Sequence, residues 1–249
     1  MHFPASLRLL PVLSVLATVF PSTSLLHAYE AGLTEIGSSG EFVRFAAVGG
    51  ASGSPDGRKR VDARVRSWAP DFTVPLGDSG EAGYPDLIRG PVQVFSVDAA
   101  AGMPSQRLRK ALAASSATWK IVCIHNAAPA SDARGCNRAP RLPFREWGAD
   151  AVISGQGRGY ERFLADGVPF FVNGPGGKPG YPAGDPMPGS QCLFAEEDGA
   201  MLIEADGERI DFRFVTAEGL VVDSHTLRKA PVPGSSAAVR ASARIPRNR

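Results

Sequence analysis

Apolar residues along this chain gather in short runs, and most runs end at a glycine or a polar residue. Phe42 to Val48 reads Phe-Val-Arg-Phe-Ala-Ala-Val and runs into Gly49-Gly50, which predicts a buried strand opening into a loop. Between Ser54 and Ala69 the period changes. Val61, Val65 and Trp68 recur at spacings of four and three, so they share one helical face, with Arg60, Arg64 and Arg66 off it. Phe72 to Leu76, ending at Gly77-Asp78, and Val92 to Val97, ending at Asp98, predict two more strands. Ser105 to Ala114 predicts a helix and Trp119 to Ile124 a strand ending at His125. Pro143 to Trp147 predicts a helical turn, and Ala151 to Ser154 a strand ending at Gly155.

The alternation of strand, loop and helix puts polar residues just beyond strand ends. Open α/β sheets hold ligands at those carboxyl ends, which marks Asp78, Asp98, His125 and Gln156 as residues to follow. Beyond Tyr160 the pattern becomes short strands with turn signals. These are Phe163–Ala165, Pro169–Asn173, Leu193–Glu196, Met201–Ala205, Arg209–Phe214 and Val221–Thr226. Asp206-Gly207 between two such runs predicts a hairpin with a type I′ turn. An α/β first part thus precedes an antiparallel second part, with no repeat of 20–50 residues and no internal linker.

Composition narrows the classes. The 249 residues are 43% hydrophobic and 21% charged, with 27 Lys and Arg against 25 Asp and Glu. A globular protein follows, and nucleic acid is not its expected partner, because phosphate binding needs a concentrated basic surface. The 28 glycines and 21 prolines point to β structure with long connections rather than a helical bundle.

The two ends stand apart from this middle. Arg8 precedes an apolar stretch from Leu9 to Phe20 broken by Pro11, Ser14 and Thr18, with small residues toward Ala28. That predicts a secretory signal peptide over 1–28, since the stretch is too short to span a bilayer. No later segment has the ~20 apolar residues of a membrane span, so the mature chain is expected to be secreted or periplasmic, without a transmembrane segment. Residues 231–249 carry Arg240, Arg244, Arg247 and Arg249 with no acid and little apolar bulk, the composition of a disordered basic tail. Cys123 lies in an apolar run and reads as a buried thiol; Cys136 and Cys192 lie in loop-like stretches of an exported chain, where a disulfide between them is one option.

Five pieces of sequence, in order, resemble the calcineurin-like metallophosphoesterases and their purple-acid-phosphatase-like branch. Pro70-Asp71-Phe72 leading to Leu76-Gly77-Asp78 is similar to that family's PDF…LGD strand. Gln106 through Trp119-Lys120-Ile121-Val122-Cys123-Ile124-His125 is similar to its Q…L…W-K-I-V-x-x-H segment. Asp150 to Gly155 with Tyr160-Glu161-Arg162 resembles D-x-V-x-S-G-H-x-H-x-Y-E-R. Asn173 to Gly177 resembles a G-x-G-G loop, and Asp223-Ser224-His225-Thr226-Leu227 resembles a D-S-x-T-L strand. The resemblance spans residues 42–227. It implies an α/β (α+β) fold, a four-layer sandwich of two mixed β-sheets flanked by helices. It also implies a dinuclear Fe, Zn or Mn centre at the strand ends, where paired metals hold phosphoryl oxygens and activate water.

The chain departs from that pattern at the metal ligands. Gly50 stands where the first aspartate belongs, and Glu81 where the iron-binding branch has tyrosine. The two histidines of G-H-x-H become Gln156 and Arg158, and the G-N-H-D segment is absent from the short stretch between Ser79 and Pro91. Asp78 and His125 remain as relict metal ligands. Arg158 brings a guanidinium, which cannot shed its proton to coordinate a metal. An ion pair between Asp78 and Arg158 would neutralise a carboxylate left without a metal. Glu81, Asp86 and Asp98 are the acids available as replacement ligands. Ser52 or Ser154 with His125 lacks the G-x-S-x-G elbow of a serine hydrolase.

Two expectations follow. One is a catalytically impaired member of the family, a pseudoenzyme without metal, whose cleft binds a phosphate-containing or other anionic small molecule through Arg158. The other is an active, acid phosphatase-like metal-dependent phosphatase or phosphodiesterase with a rearranged site holding a single divalent metal. The residues favour no particular oligomeric state.

Overall fold

A computed structural model describes residues 34–36, 42–50, 54–76, 86–97, 105–124, 131, 142–155, 159–174, 186 and 188–230. The expected signal peptide, the basic tail and Cys136 lie outside the described residues.

Two sheets form the body. The first has eight strands in the order β1–β4–β5–β6–β7–β9–β8–β10. They are β1 (Thr34–Ile36), β4 (Leu87–Arg89), β5 (Val92–Val97), β6 (Trp119–Ile124), β7 (Ala151–Ser154), β9 (Val168–Asn173), β8 (Tyr160–Ala165) and β10 (Ser190–Phe194). β5, β6, β7 and β9 run parallel, so their carboxyl ends share one edge; β4 pairs antiparallel with β5 and parallel with β1, and β8 pairs antiparallel with both β9 and β10. The second sheet has the order β13–β12–β11–β2–β3. Its strands are β13 (Val221–Arg228), β12 (Arg209–Thr216), β11 (Gly199–Ala205), β2 (Val43–Val48) and β3 (Phe72–Pro75). Only β2 and β3 are parallel there, joined through α1 (Pro55–Ser67). In the first sheet α2 (Ser105–Ala114) makes the same kind of crossover from β5 to β6.

Three apolar clusters define four layers. The largest lies between the sheets and includes Phe45, Trp119, Tyr160, Phe171, Phe212 and Phe214. A second lies on the outer side of the first sheet, where Leu108 and Leu112 of α2 and Phe144 cover Phe95, Val122 and Phe170. The third places Val61 and Val65 of α1 over Ala46, Val48 and Ala200 of the second sheet. The architecture is therefore the expected sandwich of two mixed sheets flanked by helices. The outer face of the second sheet away from α1 is polar. Arg44, Glu204 and Arg213 form an ion-pair ladder across β2, β11 and β12, and Arg209 pairs with Asp211 at 2.7 Å.

Local signals explain the element ends. Ser54 caps α1 by accepting from the Gly57 amide at 3.0 Å, with Pro55 at the first helical position. The helix ends at Ser67 rather than Ala69, since Ala69 turns left-handed at φ 48 and Pro70 follows. β1 and β4, three residues each, carry too little pattern to be read from sequence. β8 begins at Tyr160, three residues before the predicted strand. β10 occupies Ser190–Phe194 instead of Leu193–Glu196, because Glu196 and Glu197 fall in the bend that follows.

The turn prediction needs one correction. Gly207 is not among the glycines with positive φ, nor is Glu208 among such residues, whereas a type I′ turn needs positive φ at both central positions. Asp206 instead accepts from the Glu208 and Arg209 amides with its carboxylate, each at 2.8 Å, and closes the hairpin through its own side chain. The positive pair sits at Asp166 (φ 52) and Gly167 (φ 78), between β8 and β9.

Candidate functional site

The strand ends flagged by sequence meet at one seam. A Cβ on Gly49, just after β2, would lie 1.7 Å from the Asn173 carbonyl oxygen at the end of β9. A Cβ on Gly155, just after β7, would lie 1.7 Å from the Leu76 carbonyl oxygen beyond β3. Only glycine fits either place. The two sheets therefore touch backbone to backbone where their parallel strands end. Asn173 reinforces the contact by donating its side-chain amide to the Ala47 carbonyl at 2.7 Å, fully buried. Its Oδ1 is buried without a hydrogen-bond partner.

Gly50 follows this contact directly, at φ 57, the left-handed region that favours glycine. It contributes no carboxylate to the seam. Asp78, Glu81, Asp98, His125, Gln156 and Arg158 lie outside the described residues, and with them the expected Asp78–Arg158 pair. By chain position Asp78 comes two residues after Leu76, His125 one after Ile124, and Gln156 one after Gly155. Among the described residues no group of three or more His, Cys, Asp and Glu is placed to hold a metal. The side chains of Gly50, Gln156 and Arg158, where the resemblance implies ligands, do not have the donor chemistry of a dinuclear centre.

Asp86 is the acid of the replacement set that the structure describes. It precedes β4 and accepts from the Ser96 amide near the carboxyl end of β5, at 3.1 Å. Burial pushes its pKa up, against the lowering effects of that hydrogen bond and of Arg107. Ser154 is buried within β7, which removes it as an accessible nucleophile.

The motif residues that are described act as braces. Asp71 accepts from the Arg44 amide at 2.8 Å and ties β3 to β2. Asp150 accepts from the Lys120 amide at 2.8 Å and ties β7 to β6, and Trp119 donates its indole N–H to the Asp206 carbonyl at 2.6 Å. Glu161 turns to the outer side of the first sheet and accepts from the Ser131 amide and hydroxyl, each at 2.8 Å.

Tyr160 and Arg162 turn inward and meet Asp223 of β13. The tyrosine hydroxyl donates to Asp223 Oδ2 at 2.7 Å, Arg162 Nε to the same oxygen at 2.7 Å, and Arg162 Nη2 to Oδ1 at 3.1 Å. Arg162 also donates to the Gln191 side chain. Burial works to raise the Asp223 pKa, but the hydrogen bonds from Arg162 and Tyr160 and the arginine charge leave it lowered. The Tyr160-Glu161-Arg162 and Asp223–Leu227 pieces thus hold each other across the two sheets.

Cys192 bears a free thiol, which corrects the disulfide option with Cys136. It lies within β10 opposite Arg162 and packs against the inter-sheet core rather than in a loop. Burial first, and then Asp223, push its thiol pKa up. Cys123 is fully buried as expected, and burial lifts its thiol to about 12.

No family model and no curated protein matches this chain. Solved structures do. One is described as GAP50, the anchor in the inner membrane complex of Plasmodium, with a TM-score of 0.60 at 15% identity over 82% of this chain and 95% of that one. Another is the purple acid phosphatase PPD1 from yellow lupin (Lupinus luteus) seeds, with a TM-score of 0.61 at 12% identity. That match covers 78% of this chain and 55% of the lupin chain, so this chain spans about half the length of the plant enzyme. The fold is metallophosphoesterase-like. No helix among the described residues is long and apolar enough to cross a membrane.

Proposed function

We propose that this chain is an exported protein on a phosphoesterase-like scaffold whose dinuclear metal site is eroded. In this reading it no longer hydrolyses phosphoesters and uses the cleft beyond the strand ends to bind a phosphate-containing or other anionic small molecule. The observation that carries the reading is the replacement pattern. Gly50 follows β2 at the seam of the two sheets with no side chain to offer, and Gln156 and Arg158 follow β7 where the resemblance implies histidines. Arg158 supplies a fixed positive charge for a bound anion. One neighbour of similar fold is described as an anchor.

The test is metal content together with turnover. Purified protein is expected to carry substoichiometric Fe, Zn and Mn by elemental analysis and to leave a chromogenic phosphate ester unhydrolysed. Stoichiometric metal, with hydrolysis lost in Asp78→Ala, would overturn the reading.

That opposite outcome defines a second reading, an active phosphatase or phosphodiesterase holding one divalent metal on Asp78, His125 and a recruited acid. Asp86 supports it, as a partly buried carboxylate with a raised pKa beside the end of β5, since such groups cluster at functional sites.

A further inference from the structure

At the far edge of the sandwich, β13 closes the second sheet and presents Asp223 and His225 inward. His225 lies opposite Phe212 in the β12–β13 register, and its ring is tilted against Phe171 of β9 at 6.1 Å. Phe171 and Phe212 are themselves stacked at 4.7 Å, so the imidazole rests on an aromatic wall. Its Nε2 is buried and has no hydrogen-bond partner.

Two charged groups act on this ring, Arg162 of β8 and Asp223 of β13 itself. Tyr160 of β8 and Cys192 of β10 flank that pair. Asp223 already accepts two bonds from Arg162 and one from Tyr160. The charged residues of β12 turn to the opposite face, where Asp211 accepts from Thr226 at 2.5 Å. Asp223, the carboxylate that acts on this ring, is therefore committed to a guanidinium and a phenol.

We infer that His225 makes the closure of β13 over the first sheet acid-sensitive: a proton on its ring places a second cation beside Arg162, with no acceptor at Nε2, and loosens the edge strand. Burial, and then the Arg162 charge, hold the ring below the ordinary histidine range, against the smaller pull of Asp223. The folded state thus favours the neutral ring. The stability this confers is complete above the unfolded pKa of about 6.5 and is lost as pH falls below it. Asp223 acts with the same sign but lower, losing its contribution only below about 3.9, which separates the two groups. An exported chain meeting an acidic compartment would open at this seam while the parallel strands stay paired.

The test compares purified wild-type protein with His225→Phe, which keeps an aromatic ring on the wall and removes the titration. Urea unfolding at about pH 7.5 and about pH 5 is expected to show wild type losing roughly threefold or more in folding equilibrium constant beyond the loss in His225→Phe. His125→Gln is expected to lose as much as wild type. Hydrogen exchange, corrected for its intrinsic pH dependence, is expected to show residues 221–228 opening in acid before residues 119–124. Equal acid losses in wild type and His225→Phe, or uniform exchange, would overturn the inference. Should His225→Phe fail to fold, an NMR titration of His225 in the wild type decides it, because a midpoint at or above the free-histidine value would overturn the inference equally.

Discussion

Arg162 and Asp223 belong to different sheets and are joined as a fork, Nε to Oδ2 at 2.7 Å and Nη2 to Oδ1 at 3.1 Å, with side chains only 13% and 9% exposed. Two parallel bonds fix direction as well as distance, which a single ammonium cannot do. This clamp holds β8 of the first sheet against β13 of the second.

Removing one arm strands the other charge in a nearly dry place. Arg162→Ala or Asp223→Ala is expected to cost about 3 kcal/mol, and Arg162→Lys less, read from urea unfolding midpoints. Asp223→Asn is expected to flatten the stability loss below about pH 4, because the lowered carboxylate pKa stabilises the fold only while that group is ionised. An Arg162→Ala variant as stable as wild type would show the clamp to be idle.

The seam at Gly49 and Gly155 makes a sharper prediction. An alanine methyl at either position meets a backbone carbonyl oxygen that cannot swing aside. Gly49→Ala and Gly155→Ala are each expected to cost more than ~3 kcal/mol or to prevent soluble expression. Gly207→Ala is the control, since nothing lies within 4 Å of its added Cβ, and it is expected to change stability by no more than about 1 kcal/mol.

The two Asp-Gly turns are expected to differ under the same substitution. Gly167 has φ 78 and an added Cβ 2.2 Å from Arg145, a side chain able to move, so Gly167→Ala is expected to cost about 1–2 kcal/mol through backbone strain. Matching melting curves for Gly167→Ala and Gly207→Ala would reject the assignment of the type I′ turn to β8–β9.

Thiol labelling distinguishes the cysteines. Cys123 is fully buried with its pKa pushed up to about 12, so it is expected to react only on unfolding. Cys192 is free and partly exposed but has a raised pKa, so slow labelling of the native protein is expected there, faster in Asp223→Asn than in wild type. Rapid native labelling mapped to Cys123 would contradict the burial.

Much of the fold is written in hydrophobic periodicity. Ser105–Ala114 and Trp119–Ile124 were legible to the residue, because a helix of three turns and a six-residue strand each complete their pattern. The sequence pattern shows β8 only from Phe163, because Glu161 and Arg162 look like loop residues. Each is a polar side chain in a strand whose partner, Ser131 or Asp223, is remote in sequence, and no local pattern reveals such pairing. The sequence does not distinguish two solutions for Asp-Gly: Asp166 adopts positive φ, while Asp206 accepts from the Glu208 and Arg209 amides with its carboxylate. At the site, the glycine at position 50 was visible in the sequence, and the structure adds its left-handed turn. In the sequence Asn173 is simply the end of a strand where a glycine-rich loop begins. Its bond to Ala47 spans 126 residues of chain, which no spacing argument reaches.

The two glycines that let one sheet's backbone rest on the other have a consequence for how this protein can change. Segments leaving Val48, Leu76, Ser154 and Asn173 start from points fixed by main-chain contact, with one side-chain bond, Asn173 to Ala47, beside it. Their cargo is replaceable while their origin is not, so a donor grafted one or two positions past these points inherits a surveyed starting coordinate.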